Sequence, residues 1–196
     1  MTFSIWTAFF SYAAITAITP GPNNILAMNA ASSRGMRNSR GLLAGIYLGF
    51  FCVMLLSGLL GAAVSTSLPD LSARMKYIGA AYIFWLAWHI VSDKNGAPEN
   101  AEKTASFLRG FLLQFVNVKI ILYGITIFTG FVFPNTRSPA VVVSFILLSA
   151  LIGNGATHLW ALTGATFSSF FQTHRRASNT AMALLLIYSA VGLLSA

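Results

Sequence analysis

Apolar residues fill six long stretches of this chain, and short polar stretches separate them. The apolar stretches cover about residues 3–31, 41–66, 71–92, 107–133, 139–167 and 178–195. A helix needs about 18 to 20 apolar residues to cross the hydrocarbon core of a bilayer. The pattern therefore predicts an all-α integral membrane protein with six transmembrane helices, which together form a single transmembrane domain over residues 1–196.

The composition favours the membrane over a soluble environment. The chain is 56% hydrophobic and only 8% charged, whereas soluble domains carry about 25% charged residues. The net charge of +8 comes from basic residues scattered singly between apolar stretches, so binding to nucleic acid is not predicted. Cys52 is the only cysteine, which excludes an internal disulfide and a cysteine-based metal site.

The first apolar stretch contains a sequence that interrupts a helix, Pro20-Gly21-Pro22. Each proline lacks the N–H that would bond the carbonyl four residues earlier, so the carbonyls of Thr16 and Ile18 lose their partners. In hydrocarbon an unsatisfied backbone group costs several kcal/mol, and such a break survives only where protein or water fills the gap. We therefore expect the first helix to be broken at Pro20-Gly21-Pro22.

The chain divides near its midpoint into two halves. The hydrophilic stretch of about 93–106 separates residues of about 1–92 from those of about 107–196, and each half holds three apolar stretches. Because three is an odd number, the second half must lie inverted in the membrane relative to the first, which is a recurrent transporter design. Six helices without internal symmetry are the alternative.

The basic residues of the short loops predict the orientation in the membrane, because cytoplasmic loops carry an excess of Lys and Arg. Eight basic residues fall on the side of the central loop, namely Arg34, Arg37, Arg40, Lys94, Lys103, Arg109, Arg175 and Arg176. The opposite side has three, namely Arg74, Lys76 and Arg137. The central loop is therefore expected in the cytoplasm and both termini in the periplasm.

One lysine lies at the depth of the bilayer centre. Lys119 comes about twelve residues into the fourth stretch, or about 18 Å at 1.5 Å per residue. A lysine there costs about 2.5–3.5 kcal/mol on insertion scales and usually faces a cavity or a partner. No Asp or Glu lies in a predicted span, so a substrate carboxylate is a candidate partner. The alternative is that the side chain reaches towards the headgroups.

Other polar residues share helix faces with one another. Asn154, Thr157 and His158 follow the helical spacing in the fifth stretch. For the asparagine and the histidine, cavity lining and interhelical hydrogen bonding are both open, and for the threonine we favour bonding. On a straight fourth helix Asn117 points about 200° away from Lys119, so either this helix is irregular or the two residues face different surfaces.

Several motifs carry a resemblance to a known family. Pro20-Gly21-Pro22-Asn23, in the first of six short helices, resembles the lysine exporter superfamily of bacterial amino-acid exporters. The segments 16–27, 113–124 and 79–88 are also similar to that family. Many members have a proline between the Asn and the Lys of the fourth helix. Val118 occupies that position here, which argues against a sharp break in the fourth helix.

The resemblance implies a multi-pass exporter of small neutral amino acids in the bacterial inner membrane, driven by the proton gradient. Cysteine and O-acetylserine are the first expected substrates, and homoserine or threonine-like amino acids are the alternative. A passive channel or an assembly subunit is a further alternative, and a homo-oligomer is possible. The expected partners are thus the amino acid, protons as the coupling ion and the lipid bilayer. No cofactor is implied.

These considerations define a predicted substrate site. Lys119 is expected to bind the substrate carboxylate, helped by the positive end of the helix that resumes after Pro22. The amide side chains are expected to bind the ammonium group or the substrate side chain. The full predicted set is Pro20, Gly21, Pro22, Asn23, Asn24, Gln114, Asn117, Lys119, Asn154 and His158.

An enzyme is not expected. Catalysis would need a nucleophile–base pair or a metal cluster on one face. Of the histidine, aspartate and glutamate side chains, only that of His158 lies deep within a predicted span. The same scarcity leaves His158 and Lys119 as the candidates for carrying a coupling proton, because the spans hold no carboxylate.

Overall fold

The computed structural model describes residues 2–64 and 107–195, together with isolated positions between Tyr77 and Ser92. All regular structure within these ranges is helical, which confirms the predicted all-α class for this part of the chain. The helices are α1 (Phe3–Ile18), α2 (Pro22–Val64), α3 (Phe107–Val116), α4 (Val118–Thr126), α5 (Pro139–Thr166), α6 (Ser168–Thr173) and α7 (Arg175–Ser195).

The predicted third helix and central loop, about 71–92 and 93–106, lie outside the described residues apart from those isolated positions. The remaining expectations can be compared directly. The fifth apolar stretch corresponds to α5, and the sixth lies within α7. The stretch between them is not an open loop, because α6 and the first residues of α7 make most of it helical.

The predicted break of the first helix is confirmed. α1 ends at Ile18, and Thr19 adopts an extended backbone with φ −57° and ψ 143°. The helix resumes at Pro22 as the first residue of α2. A proline is well suited to that position, because the N–H it lacks would have no partner in the first turn of a helix.

The connection after the first apolar stretch differs from the expected polar loop. The backbone is helical throughout α2 except at Gly35, which has φ 78° and ψ 162°, a conformation that favours glycine. Ala27 and Leu43 belong to one buried cluster, although sixteen residues would separate them by about 24 Å on a straight helix. α2 is therefore a helical hairpin, whose arms 22–34 and 36–64 meet at a single glycine.

The fourth apolar stretch is sharply bent, so the expectation drawn from Val118 is wrong. α3 ends at Val116, Asn117 has φ −81° and ψ 93°, and α4 begins at Val118. The axes before and after this residue differ by 59°. Asn117 begins the new helix through its carbonyl, which accepts the N–H groups of Ile120 at 2.9 Å and Ile121 at 3.1 Å. An asparagine thus makes the break without any proline.

Within the described ranges two segments contain an apolar helical stretch long enough to cross a membrane, namely Pro22–Leu60, which includes the bend at Gly35, and Pro139–Thr166. The bent pair Phe107–Val116 and Val118–Val132, whose last turn is π-helical, adds a third if it is one span. This supports a membrane protein with several spans. The full count of six helices and the inverted halves stay predictions.

Close backbone packing brings the second arm of α2 against α3. A Cβ atom added to Gly45 would overlap the carbonyl oxygen of Phe107, and one added to Gly110 would overlap that of Leu42. Glycines let helix backbones approach in this way in membranes. This contact brings the polar residues of α3 close to those that begin α2.

Candidate substrate site

Side chains satisfy the carbonyl groups that the helix break sets free. The Thr19 hydroxyl has one hydrogen to donate, and its Oγ1 lies 2.7 Å from Thr16 O and 2.9 Å from Ile15 O. Trp160 Nε1, from α5, donates to Ile18 O at 3.1 Å. The break is thus stabilised by protein groups, as the cost of unsatisfied carbonyls in hydrocarbon requires.

Asn24 bridges the two sides of this break. Its Nδ2 donates to Ala17 O at 2.8 Å and to Thr19 O at 3.0 Å. Its Oδ1 accepts a hydrogen bond of 3.0 Å from Thr157 Oγ1 of α5. Both polar atoms of the Asn24 side chain are therefore engaged in holding α1, α2 and α5 together.

Lys119 reaches the same break from α4. Its Nζ donates to Thr19 O at 2.7 Å and lies 3.4 Å from Pro20 O. The ammonium group therefore lies at the carbonyl end of α1, where the helix dipole favours a positive charge. This contact joins the break of the first helix to that of the fourth.

Gly21 leaves room for the lysine side chain. A Cβ atom on Gly21 would lie 2.9 Å from Lys119 Cδ and 3.0 Å from Lys119 Nζ. A Cβ atom essentially never lies 2.9 Å from another non-bonded heavy atom, so the lysine side chain would have to shift. The glycine between the two prolines is thus the residue that lets the ammonium group approach the break.

A buried cluster of amides joins the beginning of α2 to the break between α3 and α4. Asn23 and Gln114 exchange two hydrogen bonds, of 2.7 Å and 3.1 Å, and Asn117 Nδ2 donates to Asn23 Oδ1 at 3.1 Å. Their exposed fractions are only 5%, 0% and 2%. Gln114 Nε2 also donates to Gly110 O at 2.9 Å.

One polar atom of this cluster has no partner. Asn117 Oδ1 is buried, and no hydrogen bond reaches it from the part of the chain that the structure describes. Leaving a buried acceptor unpaired costs about 1–3 kcal/mol. An unpaired acceptor of this kind in a native site calls for a bound partner, such as a ligand donor or a water molecule.

A cavity lies where these elements meet. It holds about 30 Å³ of open space, which is room for about two water molecules. Of the described residues that line it, Lys119 carries the one charge. The lining residues are Thr16, Ala17, Gly21, Pro22, Asn23, Asn24, Phe50, Asn117, Lys119, Ile120, Tyr123, Gly153 and Thr157.

Two of the predicted site residues lie elsewhere. Asn154 Nδ2 donates to Tyr47 O at 3.2 Å, and His158 Nδ1 forms a 2.8 Å hydrogen bond with Tyr47 OH. Neither residue lines the cavity. Their shared helix face meets the second arm of α2, so interhelical bonding, one of the two open interpretations, describes them. Gln114 and Pro20 are also absent from the lining. Gln114 supports Asn23, which is there, and Pro20 O lies 3.4 Å from Lys119 Nζ.

Several lining residues are not among those predicted from the sequence. Tyr123 follows Lys119 by one helical turn, and this spacing does indicate a shared face. Phe50 and Gly153 come from other elements, and nothing in their local sequence marks them. In the ranges that the structure covers, no group of three His, Cys, Asp or Glu side chains could hold a metal ion.

Comparison with known proteins agrees with the predicted family. Residues 14–196 match the family described as LysE type translocator. This chain belongs to that family. The family is one of translocators, so the chain is a transporter and not an enzyme, as the sequence indicates. No solved structure matches the chain.

Individual relatives are similar over nearly the full length. A cysteine/O-acetylserine efflux protein of Escherichia coli O139:H28 is 45% identical over 191 residues, which cover 97% of this chain and 98% of the relative. The proteins of the same description from Escherichia coli strain K12 and Shigella sonnei are 44% identical over the same shares.

Proposed function

We propose that this protein exports small neutral amino acids across the cytoplasmic membrane, and that cysteine and O-acetylserine are its main substrates. The observation that carries the proposal is the meeting of two broken helices at one cavity, with the Lys119 ammonium group on one side. Broken helices at a shared polar cavity are the usual construction of a transporter's substrate site. The description of the relatives as cysteine/O-acetylserine efflux proteins supports the choice of substrates.

In this proposal Lys119 binds the substrate carboxylate. Its ammonium group has three N–H donors, of which the Thr19 and Pro20 carbonyls engage at most two. The helix that resumes at Pro22 adds the positive end of its dipole to the same cavity. A carboxylate there would meet a full charge and a helix N-terminus together.

The substrate ammonium group is proposed to bind Asn117 Oδ1. Five amide side chains were candidates from the sequence, but Asn23, Asn24 and Gln114 each use their side-chain oxygen for a hydrogen bond within the protein. Asn154 does not line the cavity. Asn117 Oδ1 is buried, unpartnered among the described residues and belongs to a lining residue. It is the acceptor best suited to an ammonium donor.

The cavity must open for transport. Space for about two water molecules does not accommodate the seven non-hydrogen atoms of cysteine. The Asn23–Gln114 pair and the Lys119–Thr19 contact both join the two helix breaks. We propose that these contacts hold a closed state and part when substrate enters from either side.

The energy source and the arrangement in the membrane are part of the same proposal. The proton gradient drives export, both termini face the periplasm, and residues of about 1–92 and 107–196 form inverted halves joined by a cytoplasmic loop. His158 and Lys119 are the candidate proton carriers. A homo-oligomer is compatible with this arrangement.

The test is export of labelled amino acids from proteoliposomes loaded with cysteine, O-acetylserine, homoserine or threonine. We expect saturable export with preference for cysteine and O-acetylserine. Export should be faster when an imposed gradient drives protons across the membrane in the direction opposite to the substrate. Preference for homoserine or threonine would replace the proposed substrates, and efflux unchanged by a protonophore would remove proton coupling. Transport without saturation or counterflow would indicate a channel.

A further inference from the structure

We propose that Phe50 determines which substrate side chains the cavity accepts, by closing against the backbone of Gly153. This inference rests on the proposed export function and concerns the apolar part of the same cavity. Phe50 lies on the second arm of α2 and Gly153 on α5, and both line the cavity.

The ring of Phe50 lies directly on the backbone of α5. A Cβ atom added to Gly153 would overlap Phe50 Cζ and would lie 2.7 Å from Phe50 Cε2. The ring centroid is 5.8 Å from that of Tyr123, with the planes at 59°. The Phe50 ring thus packs between the backbone of α5 at Gly153 and the ring of Tyr123.

Selectivity among small amino acids must come from lining residues other than Lys119 and Asn117. Cysteine, O-acetylserine, homoserine and threonine all carry the same carboxylate and ammonium groups, so contacts with Lys119 and Asn117 cannot distinguish them. In an apolar pocket one methylene changes discrimination by about 10- to 200-fold. The side chains that line the apolar part, Phe50 among them, therefore contribute to the preference between substrate side chains of different size.

Among the lining aromatic residues, Phe50 is the one suited to adjust. The hydroxyl of Tyr123 donates to Ser149 O at 3.4 Å, which ties that ring to α5. Phe50 has no polar atom, and only the absence of a side chain on Gly153 gives its ring a place to lie. A smaller residue at 50 would enlarge the cavity, whereas a side chain at 153 would push the ring away from α5 and towards the lining of the cavity.

The experiment compares export of cysteine with export of methionine, which has a longer side chain, in proteoliposomes. Phe50→Leu is expected to lower the kcat/KM ratio of cysteine to methionine by about 10-fold. Gly153→Ala is expected to raise that ratio, and the double variant is expected to return towards wild type. Phe145→Leu is the matched control, because Phe145 is fully buried in the same core but does not line the cavity; its ratio should stay unchanged.

The outcomes separate the inference from the function on which it rests. If wild type exports neither amino acid, the proposed function is wrong. If wild type exports cysteine and Phe50→Leu lowers both substrates in proportion, Phe50 is only a packing residue and the inference is overturned. If Gly153→Ala does not insert into the membrane, the cysteine-to-methionine kcat/KM ratio still decides the inference, through the comparison of Phe50→Leu with Phe145→Leu.

Discussion

Replacing Lys119 by glutamine and by methionine separates two roles that the structure joins in one side chain. The ammonium group stabilises the break through Thr19 O at 2.7 Å, and we propose that it also binds the substrate carboxylate. Lys119→Gln keeps an N–H donor, on a side chain one bond shorter than that of lysine, but has no charge. Lys119→Met has the same length as the glutamine and has neither a donor nor a charge.

The two roles predict different magnitudes. Thr19 O keeps its hydrogen bond from Asn24 Nδ2 at 3.0 Å in either variant, and neither variant places a charge at the depth of the bilayer centre, where a lysine costs about 2.5–3.5 kcal/mol on insertion scales. Both variants should therefore fold. A hydrogen bond to a charged group is worth about 1.5–3 kcal/mol, so loss of the carboxylate partner should raise Kd about 10- to 100-fold.

The assay is export from loaded proteoliposomes, with binding of labelled cysteine to purified protein alongside. We expect Lys119→Gln and Lys119→Met to lose affinity to a similar extent, because both lack the charge. If Lys119→Gln binds and exports like wild type while Lys119→Met does not, the lysine only stabilises the break. That result would refute the carboxylate role.

Three further substitutions test other parts of the site. Asn24→Ala removes hydrogen bonds to Ala17 O, Thr19 O and Thr157 Oγ1 and should cost about 2–4 kcal/mol of stability, visible as a lower melting temperature in detergent; unchanged melting would contradict the bridging role. Gly21→Ala should raise KM, because the added Cβ displaces Lys119. Gly155→Ala is the control and should leave KM unchanged, because a Cβ there meets nothing within 4 Å. Equal effects of the two substitutions would argue against the close approach of Lys119 to Gly21. His158→Leu should leave the KM for cysteine within about twofold of wild type, because the Tyr47–His158 pair lies outside the cavity; a large rise in KM would return His158 to the site.

The two helix breaks show what sequence reasoning can and cannot reach. The break at Pro20-Gly21-Pro22 follows from covalent structure, because a proline has no N–H to donate wherever it stands. The break at Asn117 does not follow from covalent structure, because asparagine can occupy a helix. Its non-helical backbone here goes with a tertiary contact, the hydrogen bond from Asn117 Nδ2 to Asn23 Oδ1. The turn at Gly35 is similar, since one glycine within a polar stretch looks like part of a loop.

The site shows the same division between local pattern and tertiary packing. Helical spacing correctly grouped Asn154, Thr157 and His158 on one face, but periodicity does not tell which edge of that face meets which neighbour. Packing turns Thr157 towards the cavity and His158 towards Tyr47. Phe50 enters the site from the second arm of α2, and no local signal in the sequence identifies it.

The most direct test of the central claim is competition against labelled cysteine bound to the purified protein. Cysteamine lacks the carboxylate that Lys119 is proposed to bind, and 3-mercaptopropionate lacks the ammonium group assigned to Asn117 Oδ1. We expect each to compete at least about 10-fold more weakly than cysteine in wild type, and Asn117→Ala to remove the disadvantage of 3-mercaptopropionate. If both analogues compete as well as cysteine, the cavity between the two broken helices does not recognise an amino acid by its charged ends.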